Sequence, residues 1–154
     1  MINRTLRNER LTELAEFFEA GAPHFKFDIT TGFEYKGGDI HQALDGECQT
    51  AGCIAGFVFP KAVADLDPAA IEAGAVLGDE PDDGTGEWYQ ADWFYVKGEA
   101  QRYLGLTDDE AYDLFMGYRQ VHIPGGRVTP REAANAVRNV MAGRPAWKRV
   151  MALD

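Results

Sequence analysis

The sequence predicts a mainly α-helical fold: a compact single domain with a small β hairpin or irregular β element. Apolar residues recur at helical spacing along most of the chain, and capping boxes at Thr107 and Thr129 mark two helix starts. Only residues 24–46 are rich in aromatic and β-branched residues broken by glycines. With 154 residues, 45% of them hydrophobic and 26% charged, the chain has the size and composition of one globular domain over residues 1–154.

The first half of the chain predicts one regular helix followed by less regular segments. Gly21 and Pro23 end the helix. Its apolar face comprises Leu11, Leu14, Ala15 and Phe18. Residues 24–46 predict a short strand or hairpin. Residues 51–64 predict a buried helix with Ile54, Phe57 and Val58 on one side, which Pro60 should kink or restart.

The middle of the chain predicts two helices around an acidic loop. Asp67-Pro68 indicates an N-cap and a first-turn proline, opening a helix that ends near Gly78. Residues 79–92 predict a loop, because they contain six acids, no bases and a Pro-Asp-Asp-Gly-Thr-Gly segment. Residues 93–104 predict a core helix despite Gly98. Its apolar positions are Trp93, Phe94, Val96, Ala100 and Leu104.

The last third has the clearest local signals. Thr107 with Glu110, and Thr129 with Glu132, form two capping boxes, and Pro130 stands at the first helical position of the second. The first helix has a stripe of Ala111, Leu114, Phe115 and Tyr118. The second has a face of Ala133, Ala136, Val137, Val140 and Met141, and Gly143 ends it. The tail that begins at Pro145 and Trp147 should fold back, because an exposed Trp is costly in water.

Charge is distributed unevenly over a formal net charge of −10. Residues 1–126 carry 9 basic and 23 acidic side chains, whereas the C-terminal helix and tail over residues 127–154 carry 6 and 2. The acidic surface repels phosphates and anionic lipids, so we predict no direct nucleic-acid binding and no membrane binding. A basic protein is the favoured partner. The basic segment balances the acids within one chain or across a dimer, which leaves the oligomeric state open.

Location follows from three further absences in the sequence. No stretch reaches the roughly 18 apolar residues of a membrane span, and no export signal follows the charged N-terminus. Two cysteines are too few for a disulfide scaffold. We therefore expect a cytoplasmic protein of the bacterial host cell, with free thiols.

The segment Cys48-Gln49-Thr50-Ala51-Gly52-Cys53-Ile54-Ala55-Gly56 resembles a family of small bacteriophage and prophage proteins with the signature Cys-Gly-Thr-x-x-Cys-x-x-Gly. The family glycine at the second position is replaced here by Gln49, so no tight turn is predicted there. Further similar segments are Phe27-Asp28-Ile29, Leu104-Gly105-Leu106, Leu114-Phe115 and Thr129-Pro130 followed by Ala133-Ala134. The resemblance implies a phage accessory protein, and it implies no cofactor or catalytic residue.

Cys48 and Cys53 are the candidate residues for a zinc site or a thiol nucleophile. Residues five apart on a continuous helix lie about 140° apart around its axis, so a metal shared by Cys48 and Cys53 needs Cys48 in the preceding loop. With His41, and His24 or His122, they would form a Cys2His2 zinc site. Cys53 with His41 or His122 as base would instead form a thiol nucleophile. The competing interpretation is that both thiols pack at a loop-to-helix junction.

Other cofactor and metal motifs are lacking in the sequence. No Walker loop, Gly-x-Gly-x-x-Gly, Gly-x-Ser-x-Gly or His-Glu-x-x-His occurs. Asp79, Asp83 and Gly84 fit positions 1, 5 and 6 of an EF-hand, but Pro81 and Gln90 occupy positions 3 and 12, where calcium needs carboxylates. We predict no cofactor.

The leading hypothesis is a non-enzymatic protein that binds a basic partner through the acidic loop. One form of it is inhibition of a host defence protein that binds nucleic acid, by occupation of its DNA groove. The predicted partner-binding residues are Asp79, Glu80, Asp82, Asp83, Glu87 and Asp92. The alternative is a thiol- or zinc-dependent enzyme that uses Cys48, Cys53 and His41.

Overall fold

The fold is mainly α-helical with a small β element, which confirms the predicted class. The computed structural model describes residues 2–23, 25–31, 33–36, 50–65, 88–90, 92–120 and 127–147. Within these ranges lie five α-helices: α1 (Arg4–Glu19), α2 (Ile54–Ala64), α3 (Trp93–Leu104), α4 (Asp108–Met116) and α5 (Pro130–Met141). A 3₁₀ helix, Gly117–Gln120, follows α4. The strands are β1 (Lys26–Phe27), β2 (Phe33–Lys36), β3 (Thr50–Gly52) and β4 (Trp88–Gln90).

The chain divides into two compact units. The first combines Met1–Pro23 with Leu104–Asp154, and the second is His24–Tyr103. A single domain over residues 1–154 stays a prediction. Among the described residues, no helix has both the length and the apolar character needed to cross a bilayer.

The first unit is built from α1, α4 and α5. The predicted inner face of α1 is confirmed, since Leu11, Leu14, Ala15 and Phe18 are all buried, and α1 packs against α5. Both capping boxes are also confirmed: Thr107 with Glu110 opens α4, and Thr129 with Glu132 opens α5. Each satisfies backbone N–H groups that a helix start otherwise leaves without partners.

The C-terminal segment of the first unit folds back, as predicted for Trp147. This side chain is 1% exposed, and its Nε1 donates to the carbonyls of Asp113 and Leu114, both at 3.1 Å. The Asp113 carboxylate also accepts from the Ala146 backbone N–H at 2.7 Å. The buried Asn139 donates to the Ala146 carbonyl at 2.9 Å, which fixes the turn from the other side. Asp113 and Trp147 thus hold the chain after α5 against α4, and Asn139 ties it to α5 itself.

The second unit contains a mixed four-stranded sheet in the order β1-β3-β2-β4. Strand β1 pairs in parallel with β3, and β2 pairs antiparallel with both β3 and β4. Strands β1 and β2 do not pair with each other, because β3 lies between them, so they form no hairpin. Phe33 packs on Phe59 of α2, with ring centroids 5.3 Å apart, and both rings are fully buried.

Three local predictions in the second unit are corrected by the structure. Trp88–Gln90, at the end of the predicted acidic loop, is strand β4, because its backbone pairs with β2. Of the two outcomes predicted at Pro60, a restart is wrong, because α2 continues through this residue to Ala64, whereas a kink stays a prediction. Phe94 is 80% exposed and is not a core residue, although Val96 and Ala100 of the same helix are buried. The predicted helix from Asp67 to Gly78 lies outside the described residues.

Candidate functional site

Two of the predicted site residues fall within the described ranges. Asp92 is described, whereas the other predicted partner-binding acids lie outside: Asp79, Glu80, Asp82, Asp83 and Glu87. Cys53 is described, whereas its candidate partners lie outside: Cys48, His41, His24 and His122. The structural case for each alternative therefore starts from one residue and its surroundings.

Asp92 is exposed and caps the N-terminus of α3. Its Oδ1 accepts from the Phe94 N–H at 2.9 Å, and its carbonyl accepts from the Val96 N–H at 2.9 Å. A carboxylate at this position satisfies an orphan backbone donor and favours the positive end of the helix dipole. The same geometry fixes the backbone of Phe94, whose ring is largely in solvent.

Three arginines of the described chain are held in ion pairs. Arg7 makes two hydrogen bonds to the Glu110 carboxylate, at 2.9 and 2.8 Å. The Arg7 hydrogen bond holds the pKa of Glu110 below its usual value, although burial opposes the shift. The other two pairs are Arg138 with Glu19, and Arg102 with Glu99 and Asp65. These cations neutralise acids of their own unit.

Other carboxylates remain exposed without such a partner. Within the described ranges, none of the following exposed acids forms an ion pair: Glu9, Glu13, Glu16, Asp92 and Asp109. Glu9 and Glu13 are four residues apart on α1, where like charges weaken a helix by about 0.2–0.5 kcal/mol. The described ranges also hold exposed cations, such as Arg4, Arg127 and Arg131, and in total they contain 14 acidic and 13 basic residues. The excess of acids in the sequence therefore lies in the remaining residues.

A groove in the first unit has a volume of about 470 Å³. Its lining comprises Asp109, Glu110, Asp113, Val140, Gly143, Arg144 and Pro145. Two of its acids already have structural roles, because Glu110 binds Arg7 and Asp113 binds the Ala146 N–H. The Arg144 guanidinium donates to the Asn139 side chain at 3.2 Å. The polar lining thus mainly stabilises the unit itself.

Cys53 lies between β3 and α2, at the N-cap of the helix, and is 2% exposed. Burial raises the pKa of its thiol to about 11, outweighing the hydrogen bonds that the Gly56 and Ala55 N–H groups would offer the thiolate. At neutral pH only about one thiol in 10⁴ is then ionised. Because the thiolate is the nucleophile, this environment disfavours nucleophilic attack by the Cys53 thiol alone. It matches the packing interpretation of Cys53.

The loop after β1 contacts the segment that carries Cys53. The Asp28 N–H donates to the Gly52 carbonyl at 2.9 Å, and the Cys53 N–H donates to the Thr31 carbonyl at 2.8 Å. The Asp28 carboxylate accepts from the Thr30 N–H and hydroxyl, at 2.9 and 2.7 Å. Although burial raises the pKa of Asp28, these hydrogen bonds outweigh it and lower the pKa. The Asp-x-Thr spacing is the sequence signal for this turn.

This junction brings two segments of the second unit side by side. Phe27 is paired with Gly52 in the sheet, so Phe27-Asp28-Ile29 lies beside Gly52-Cys53. The contacts between the segments are backbone hydrogen bonds and packing. Among the described residues, no three His, Cys, Asp or Glu side chains gather as a metal ion would require. The described part of the junction is held together by the pairing of β1 with β3 and by the hydrogen bonds of the loop after β1.

Searches of protein-family models, curated proteins and solved structures each found no match to this chain.

Proposed function

We infer that the protein is a phage-type accessory protein that binds a basic protein partner through its acidic surface. The observation that carries this proposal is the division of charge described above. Residues 1–126 carry 9 basic and 23 acidic side chains, and Asp92, the one acid of residues 79–92 within the described ranges, is exposed and forms no ion pair there. The partner-binding region is residues 79–92, which carry six acids and no base.

The physical role of this charge is to attract and orient a basic partner. A surface of one sign steers association and raises the rate of encounter about 10- to 1,000-fold at low ionic strength. A host defence protein that binds nucleic acid presents such a basic groove, because it must neutralise phosphates. Occupation of that groove by the acidic region would exclude DNA and inhibit the host protein.

The test compares two variants that remove the same charge from different places. One carries Asp79→Asn, Asp82→Asn and Asp83→Asn, and the matched control carries Glu9→Gln, Glu13→Gln and Glu16→Gln on α1. Each is used as bait in a bacterial lysate at about 0.1 M and about 1 M salt, where the Debye length is about 10 and 3 Å. The dissociation constant of each retained protein is then measured after purification.

We expect a basic protein to be retained at low salt and released at high salt. The loop variant should weaken its binding about tenfold, whereas the α1 variant should bind nearly as well as the wild type. Duplex DNA should release the partner from the bait, because DNA and the acidic region compete for the same groove of the partner. Failure to retain any basic protein at low salt, or equal weakening by the two variants, would contradict the proposal. Retention that DNA does not affect would contradict the inhibitory mechanism only.

A further inference from the structure

We draw no further inference here: the strongest candidate, the groove of the first unit lined by α4 and the segment after α5, carries nothing, because Glu110 and Asp113 in its lining already bind Arg7 and the Ala146 N–H, and nothing in the described part of the chain shows what would occupy it.

Discussion

The buried thiol of Cys53 predicts that the protein loses stability as the pH rises above 9. Burial raises the pKa of Cys53 from 9.0 to about 11 in the folded protein. In the unfolded chain the thiol ionises at its ordinary pKa, so between these values the unfolded state has lost a proton that the folded state keeps. Ionisation then favours unfolding. A shift of two pKa units corresponds to about 3 kcal/mol once both states are ionised.

The measurement is urea unfolding of the wild type and of Cys53→Ala from about pH 7 to about pH 10.5. Lysine and tyrosine ionisation affects both proteins, so the difference between their free energies of unfolding isolates the thiol. At neutral pH the variant should be less stable, because it loses buried volume. By about pH 10.5 that difference should decrease by about 2 kcal/mol.

A difference that stays constant with pH would refute the reasoning, since it would mean that the thiol has the same pKa in both states. Rapid alkylation of Cys53 in the folded protein at neutral pH would have the same consequence and would revive the thiol-nucleophile alternative. Metal analysis completes the test. Stoichiometric zinc that is lost in Cys53→Ala would support the zinc enzyme in place of a binding protein.

Three further predictions concern stability and are measured by urea unfolding. Trp147→Ala should cost about 3–5 kcal/mol, because the ring is fully buried; a smaller loss than 1 kcal/mol would mean that the segment after α5 is not docked. Thr129→Ala should cost about 1 kcal/mol through loss of the α5 cap, and an unchanged midpoint would contradict the capping box. Gly105→Ala should cost about 1–2 kcal/mol, because the backbone φ is +70° and the new Cβ would lie 2.6 Å from Ile2 Cγ1. Its control, Gly98→Ala, should stabilise α3 by about 1 kcal/mol, and equal effects at the two glycines would refute both accounts.

The sequence predicts best those features that are decided within one helical turn. Thr107 and Thr129 each bond to the backbone three residues later, so the starts of α4 and α5 follow from a four-residue pattern. The inner face of α1 likewise follows from its spacing. The burial of Trp147 is predictable from its size, but its carbonyl acceptors on α4 are not, because they lie more than 30 residues away.

Features that depend on distant pairing are not predictable in this way. Strand β3 has only three residues and is separated from α2 by Cys53 alone, so it is too short to show the alternation of a typical strand. Its place between β1 and β2 depends on backbone pairing with two other segments. Phe94 shows a second limit. An apolar residue on a predicted helix is expected to be buried. Which face of that helix is covered depends, however, on the elements that pack against it, and the sequence pattern of the helix does not show them.

The two described site residues, Asp92 and Cys53, differ in the same way in how far the sequence predicts their roles. The capping role of Asp92 is local, since its carboxylate bonds two residues along the chain. The state of Cys53 depends on packing around α2 and on the loop after β1, so the sequence left its thiol open to packing, metal and nucleophile interpretations. The structure shows that the Cys53 thiol is buried.

The packing of α1 against α5 has a consequence for synthesis of the protein on the ribosome. Arg4–Glu19 is translated more than 100 residues before Pro130–Met141, which at about 5–20 residues per second is a delay of roughly 5–20 s. The second unit is continuous in sequence, so its residues are complete while α1 still lacks its packing partner. During this interval the apolar face of Leu11, Leu14 and Phe18 has no α5 to cover it, and it is then available to chaperones.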